Sequence, residues 1–407
     1  VLRRDLKMER TQELKDFYPY DLFAYSNGLT EGELTILKQL REVLETTVKP
    51  VVNEHWVKGE FPFEAFKEVA KIGIMNSPLL FEGREGAKKP SELYNAFLYL
   101  ELAKLDASIA TFYTVHGGLC YNTILIGGSE EQVAKYGPKI ASFEWQGCFG
   151  LTEPDHGSDI AGGLATTAER KGDKWIINGE KRWIGGSDTA DILPIFARDV
   201  EDGKIKCFIV KGGQEGLHVD VIQEKMSLRA INNGHITLTN VEVADEDRLA
   251  NVNGFKDVAR ILRSTRADIA HLAMGMTYGS LEAAVKYVKE RDQFGKKLAS
   301  FQLVQEKLAR MEANVVATMS YSVRLAQLQE EGSFLEENSA LSKMHNAMKM
   351  RETVAYGREV CGGNGITLGT DVGRFFADGE AIYSYEGTHE INALIVGRYL
   401  TGVGAFV

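Results

Sequence analysis

Trp175-Ile176-Ile177-Asn178-Gly179-Glu180-Lys181-Arg182-Trp183-Ile184 is the stretch on which the fold turns. β-Branched and aromatic residues cluster on both sides of Asn178-Gly179. An Asn-Gly pair between two such runs predicts a hairpin, because both residues tolerate the positive φ of a tight primed turn. Ile192-Leu193-Pro194-Ile195-Phe196 and Ile205-Lys206-Cys207-Phe208-Ile209-Val210 flank Asp202-Gly203 and predict a second hairpin. His235 to Thr239 and Val241 to Val243 add short strands. These runs place a small antiparallel β domain over about residues 146–254.

Outward from it the period changes from two to about 3.6. Leu34, Leu37, Leu40, Leu44 and Val48 repeat at helical spacing on the N-terminal side. Leu303, Val304, Leu308, Met311, Val315 and Met319 do so on the C-terminal side. Such stripes read as core of a helical bundle. All eight prolines lie at or before Pro194, which permits long helices beyond it. The expected architecture is mainly α with a central β domain. Its domains are an N-terminal helical domain over 1–145, the β domain over 146–254 and a C-terminal helical bundle over 255–407.

Composition excludes several functions. The net charge of −10 disfavours a nucleic-acid binder. The four cysteines show no CxxC spacing and read as buried thiols. The eight histidines form no HExxH pair, so no metal is expected. No apolar run is long enough to span a bilayer as an integral segment. The first residues lack a charged-then-apolar pattern and the last three are not SKL-like, so neither a secretory leader nor that peroxisomal signal is expected. A trimmed transit peptide stays open, since the chain starts without Met and Met8 offers a start. The expected location is cytoplasmic in a bacterium, mitochondrial matrix or peroxisome in a eukaryote.

Several loops carry candidate chemistry. Leu151-Thr152-Glu153-Pro154 and Gly157-Ser158-Asp159 offer hydroxyls and backbone N–H groups to a polar ring or pyrophosphate. Trp183 precedes Gly185-Gly186 at a strand end and reads either as a cover for a cofactor face or as core. Arg291-Asp292-Gln293-Phe294-Gly295 reads as a grip for a phosphate or adenine, as a helix C-cap, or as both. Gly362-Gly363-Asn364-Gly365 allows close backbone approach, or merely turns between helices. In Tyr385-Glu386-Gly387-Thr388, Thr388 is a helix N-cap and Glu386 is a carboxylate at the helix mouth.

The order of these motifs resembles the acyl-CoA dehydrogenase and oxidase superfamily of flavoproteins over nearly the whole chain. The Arg182-Trp183-Ile184-Gly185 form, the Phe294 to Gln305 run and the Thr401-Gly402 ending are most similar to the short-chain acyl-CoA oxidase and glutaryl-CoA dehydrogenase branches. The resemblance implies an FAD enzyme that forms homotetramers, acts on an acyl-CoA and passes electrons to an electron-transfer flavoprotein. It implies that Leu151, Thr152, Ser158, Trp183, Ile184 and Gly185 meet the flavin or its phosphates. Arg291, Gln293 and Phe294 would reach FAD in a neighbouring subunit. Gly362, Gly363 and Thr388 would lie along the diphosphate. Ser158, Arg266 and Gly387 would contact substrate.

Glu386 matches the catalytic base of the family. Some branches carry the base on an earlier helix, at the position of Thr265 here, which cannot serve. The implied reaction removes an α-proton to Glu386 and a β-hydride to flavin N5. The Glu386 backbone N–H would steady the thioester oxygen. Two departures matter. Gly185-Gly186 replace a Thr-Asn pair of many dehydrogenases, and the plant oxidases share the change at Gly185. Ala110 stands where glutaryl-CoA enzymes grip a distal carboxylate with arginine, so the expected substrate is monocarboxylic. An oxygen-using acyl-CoA oxidase and a non-catalytic acyl-CoA-binding scaffold remain the alternatives.

Overall fold

The computed structural model describes residues 2–406, with side chains from Met8 on. Val1 and Val407, the outer ends of the first and third expected domains, lie outside the described residues. The helices are α1 (Leu2–Phe17), α2 (Glu31–Val43), α3 (Lys49–Lys58), α4 (Phe63–Lys71), α5 (Glu92–Leu105), α6 (Ala107–Tyr113), α7 (Asn122–Gly127), α8 (Glu130–Ala141) and α9 (Ile160–Gly163). After the strands come α10 (Phe255–Glu290), α11 (Gln302–Glu330), α12 (Glu336–Val360), α13 (Val372–Ser384) and α14 (His389–Thr401). The strands are β1 (Thr167–Lys171), β2 (Lys174–Gly185), β3 (Ile192–Asp199), β4 (Ile205–Lys211), β5 (Leu217–Val221), β6 (Asn233–Ala244), and the short pair β7 (Asp292–Gln293) and β8 (Lys296–Lys297). No strand or helix was expected before Thr30, so α1 is an addition. No described helix is long and apolar enough to cross a membrane, and no described cluster of His, Cys, Asp or Glu could hold a metal.

The described residues pack as two compact units. One holds the chain up to Asn53, Pro78–Ala107 and everything from Ala267; the other holds Glu54–Ser77 and Ser108–Arg266.

In the second unit the main sheet runs β4-β3-β1-β2-β6-β5. Its pairs are antiparallel except β1 with β3, which is parallel, so the expected all-antiparallel sheet is corrected to a mixed one. The hairpin around Asp202-Gly203 forms as β3–β4. The one expected at Asn178-Gly179 does not. β2 runs straight through that dipeptide, and the β1–β2 reversal falls at Gly172-Asp173, where Gly172 has φ 67°. Gly179, at φ 148°, instead lies at a bulge where the β2–β6 register shifts. A Cβ there would sit 2.7 Å from the Thr166 Cα, so glycine is required by close approach rather than by a turn. Behind the sheet, Trp175, Ile177, Ile184, Ile195, Phe208 and Ile236 belong to one buried cluster.

In the first unit the proline-free sequence delivers helices of 36, 29 and 25 residues in α10, α11 and α12. Met311, Val315 and Met319 of the expected stripe are buried, but Leu303 at its start is exposed. Buried Asn346 on α12 ties three helices together. Its amide donates to Ala270 O at 3.0 Å on α10, and to Thr318 O and Ser322 Oγ at 3.1 Å on α11. Arg374 of α13 is likewise buried, donating to Asp106 Oδ2 at 2.7 Å, Leu105 O at 2.9 Å and Asp371 Oδ1 at 3.0 Å. A buried guanidinium is tolerable only with such full pairing.

Candidate active site

Trp183, Phe294 and Glu386 share an unusual backbone: φ is 65°, 55° and 56° respectively. Left-handed conformation is disfavoured for side chains this large and costs on the order of 1–3 kcal/mol per residue. Such outliers concentrate where function holds the chain in place. The three lie on separate motifs that sequence reading had singled out.

Trp183 sits in a second bulge of β2, where the register with β6 slips between Lys181 and Ile184. The bulge turns the indole outward, and it is 54% exposed on a strand whose neighbours Lys181 and Ile184 are buried. Of its two readings, core is thereby excluded. Arg182 lies 5.2 Å from the indole centroid. The Arg182 backbone N–H donates to Thr152 O at 2.8 Å, so the Leu151–Glu153 loop lies beside the Trp183 bulge. Ile184 points into the core, leaving only its backbone for a ligand. Leu151 is buried, Thr152 half-buried and Ser158 exposed. Gly185 is packed against Val115, 3.1 Å from where a Cβ would stand. Ser187, next along the chain after Gly185-Gly186, is buried and donates to Ile184 O at 2.9 Å.

Sequence reading missed what holds this loop. Lys181 is fully buried and donates to Leu151 O at 3.0 Å and Glu153 Oε1 at 2.8 Å. Glu153 also accepts from Ala165 N at 2.6 Å and Thr166 N at 2.9 Å. Burial pushes the Lys181 ammonium down to about 8, against the pull of Glu153. Burial would raise the Glu153 carboxyl, but Lys181 and the two N–H donors hold it below its ordinary value. The signal lay in the alternation of β2: Lys181 falls on the same side as the buried Trp175 and Ile177, where a lysine needs a partner.

Trp183→Gly separates fold from ligand. The exposed indole contributes little to packing, and glycine relieves the positive φ. The expected change in stability is within about 1 kcal/mol of neutral by thermal unfolding of the apoprotein. A loss above about 2 kcal/mol would show that the indole is structural after all.

The other elements belong to the first unit. Beyond α10, Gln293 and Lys296 pair across Phe294 and Gly295, both at positive φ. This is a two-residue hairpin, so the C-cap reading of Gly295 is corrected. Arg291, Gln293 and Phe294 are exposed, Phe294 at 92%. Gly362 and Gly363 follow α12 with open space where a Cβ would stand, which suits close approach by a ligand. Gly365 instead is needed for packing, since its Cβ would meet Arg358 O at 2.2 Å.

Glu386 is half-buried in the loop between α13 and α14. Thr388 caps α14 as expected, its hydroxyl accepting from Ile391 N at 3.2 Å. Gly387, at φ 80°, completes the turn. Its carbonyl accepts from Lys343 Nζ at 2.9 Å and Asn392 Nδ2 at 3.0 Å. Lys343 also bonds Tyr383 O at 2.9 Å, at the carboxyl end of α13. Both anchors are fully buried. The loop bearing Glu386 is therefore clamped on either side of the carboxylate. In the second unit Arg266 is buried, as is Thr265, whose hydroxyl donates to Leu262 O at 3.0 Å.

Comparison with known proteins agrees along the chain. Family models described as the N-terminal, middle and C-terminal domains of acyl-CoA dehydrogenase match residues 30–144, 148–241 and 252–401. An acyl-CoA dehydrogenase of Bacillus subtilis (strain 168) is 32% identical, over 92% of this chain and 99% of its own. The caffeyl-CoA reductase-Etf complex subunit CarC of Acetobacterium woodii is 29% identical, over 91% and 98%. The crystal structure of a glutaryl-CoA dehydrogenase from Mycobacterium smegmatis in complex with FADH2 has a TM-score of 0.88 and 32% identity, covering 96% of this chain and all of that one. On these matches, which span the described helices and sheet alike, the chain belongs to the acyl-CoA dehydrogenase family.

Proposed function

We propose that this protein is an FAD-dependent dehydrogenase that converts a monocarboxylic acyl-CoA to the trans-2-enoyl-CoA, in the manner of fatty-acid β-oxidation. The observation that carries the reading is the left-handed backbone at Trp183, Phe294 and Glu386, three residues for which the resemblance implies cofactor and base roles.

The residues present fit FAD. An outward indole lies beside a loop anchored by a buried ion pair, and Gly362 and Gly363 leave room for a close ligand. When bound, FAD would accept the β-hydrogen of the substrate as hydride. Leu151, Thr152, Ser158, Ile184 and Gly185 would hold the ring side. Arg291, Gln293, Phe294, Gly362, Gly363 and Thr388 would hold the phosphates and adenine. Ser158, Arg266 and Gly387 would hold the acyl-CoA.

Glu386 takes the α-proton as general base. The Lys343 and Asn392 clamp keeps its loop from drifting, which matters because proton transfer tolerates little misplacement. Ala110 offers no cation to a second carboxylate, which supports a monocarboxylic acyl group.

The relative named for its Etf complex supports an electron-transfer flavoprotein as acceptor. The exposed Phe294 supports a homotetramer in which a neighbour covers it. Domain boundaries at 145/146 and 254/255 remain part of this proposal.

The test is anaerobic titration of the purified yellow protein with acyl-CoAs of increasing length. Bleaching of the flavin is expected, followed by reoxidation by electron-transfer flavoprotein. Prompt hydrogen peroxide on admitting air would make the protein an oxidase. No bleaching by any acyl-CoA would make it a binding member without activity.

A further inference from the structure

Side chains alternate across β2. Lys181 points into the core, so Glu180 and Arg182 lie on the outward face of the sheet. By the same alternation Trp183 would point inward again. The bulge between Lys181 and Ile184 turns it out instead, beside Arg182. Two outward side chains in succession bring the guanidinium to 5.2 Å from the indole centroid, within range of a cation–π contact.

Arg182 is tied to a relay. Its Nη1 donates to His235 Nδ1 at 3.3 Å, and His235 Nε2 lies 3.0 Å from Glu180 Oε1. His235 belongs to β6, the neighbour of β2, on which Ile236 pairs with Lys181 and Thr237 with Glu180. A guanidinium has only donors and an ionised carboxylate only acceptors. The two bonds therefore fix the imidazole as neutral. Its bare Nδ1 accepts from Arg182, and its Nε2–H donates to Glu180. The other charged group facing the ring is Asp220 of β5, directly opposite His235 and bonded to His218 at 3.1 Å.

The backbone beside the indole is held separately. Arg182 N donates to Thr152 O at 2.8 Å, and Asn233 Nδ2 donates to Trp183 O at 3.3 Å. What the relay itself governs is the indole.

We propose that Glu180, His235 and Arg182 form a proton-gated latch that positions the Trp183 indole against the flavin. This rests on Trp183 covering the flavin. With His235 neutral, Arg182 is tied back and holds the indole in one pose, so little side-chain freedom is lost when FAD binds. A proton on Nδ1 sets two donors face to face and an imidazolium against a guanidinium. The Arg182–His235 bond then breaks, while Glu180 and Asp220 keep the imidazolium in place. The guanidinium leaves the ring face, and the indole is freed. Arg182 and His235 act through Trp183, so they are positioning residues.

The experiment follows FAD-loaded protein from about pH 8 to about pH 5.5, the range in which histidine changes charge. It reads the fluorescence lifetime of the bound flavin, which a stacked indole shortens by donating an electron to the excited ring. It also reads the FAD dissociation constant on dilution. Trp183→Phe supplies the unquenched reference. On acidification the lifetime is expected to lengthen toward that reference. FAD is expected to bind about threefold to tenfold more weakly, the effect of ordering one freed side chain. His235→Gln keeps a neutral donor and acceptor but cannot become charged, and is expected to stay quenched throughout. Arg182→Leu is expected to be unquenched and weakly bound at every pH. Should Arg182→Leu not fold, His235→Gln decides by itself.

A His235→Gln protein with the pH profile of the unaltered one would overturn the latch. So would an Arg182→Leu protein indistinguishable from it at the alkaline end. Either result, with Trp183→Phe still lengthening the lifetime, leaves the flavin reading intact. A purified protein without flavin, or a lifetime indifferent to Trp183→Phe, would refute that reading and the latch with it.

Discussion

Glu386→Gln is expected to keep its flavin and its acyl-CoA affinity while flavin reduction by substrate slows by about a thousandfold. General-base catalysis supplies on the order of 10²–10⁴ in rate, and an amide cannot take the proton. The swap is nearly isosteric, and the clamp on the next residue acts through the Gly387 carbonyl rather than the Glu386 side chain. The loop should therefore stay in place. Stopped-flow absorbance under anaerobic conditions measures the reductive step directly. Reduction within tenfold of the unaltered protein would remove Glu386 from the base role. Thr265, buried and bonded to Leu262 O, offers no substitute.

Lys181→Met should have the largest effect on stability. It leaves the Glu153 carboxylate buried with its ammonium partner gone, and breaking one side of a buried pair costs about 3–5 kcal/mol. The same lysine holds Leu151 O, so the loop beside Trp183 should loosen and FAD should bind more weakly, by tenfold or more. The double variant Lys181→Met with Glu153→Gln is the informative control. Removing the stranded charge should recover at least about 1 kcal/mol relative to Lys181→Met alone. If the double variant is no better, the pair is not coupled in the way its geometry implies. Urea unfolding of the apoprotein gives the stability, and flavin fluorescence on dilution gives the affinity.

Most of the architecture was legible because it depends on local rules. Helix period, proline placement and the Thr388 cap each act within a few residues, and each appears where the pattern put it. The Asp202-Gly203 hairpin is of the same kind. The order of motifs carried the family, because it is a property of the chain rather than of its packing.

What failed or was missed required knowledge of neighbours distant in sequence. Asn178-Gly179 has the chemistry of a turn, yet pairing of β2 with both β1 and β6 draws it into a continuous, bulged strand. Glycine serves there because Thr166 crosses so close. Gly295 has the chemistry of a helix cap, yet the pairing of Gln293 with Lys296 makes it part of a hairpin turn. Lys181 with Glu153, Lys343 with Gly387 O, and Asp268 with Asn95 are contacts across 28, 44 and 173 residues.

By itself, then, the sequence determined the order of helical, β and helical regions, the family that order belongs to and the carboxylate offered as base. Only tertiary structure decided what those residues rest on. A buried charge is specified by the partner that satisfies it, and no local periodicity encodes that partner. The outward turn of Trp183, the clamped loop of Glu386 and the neutral ring of His235 all arise from such long-range pairing.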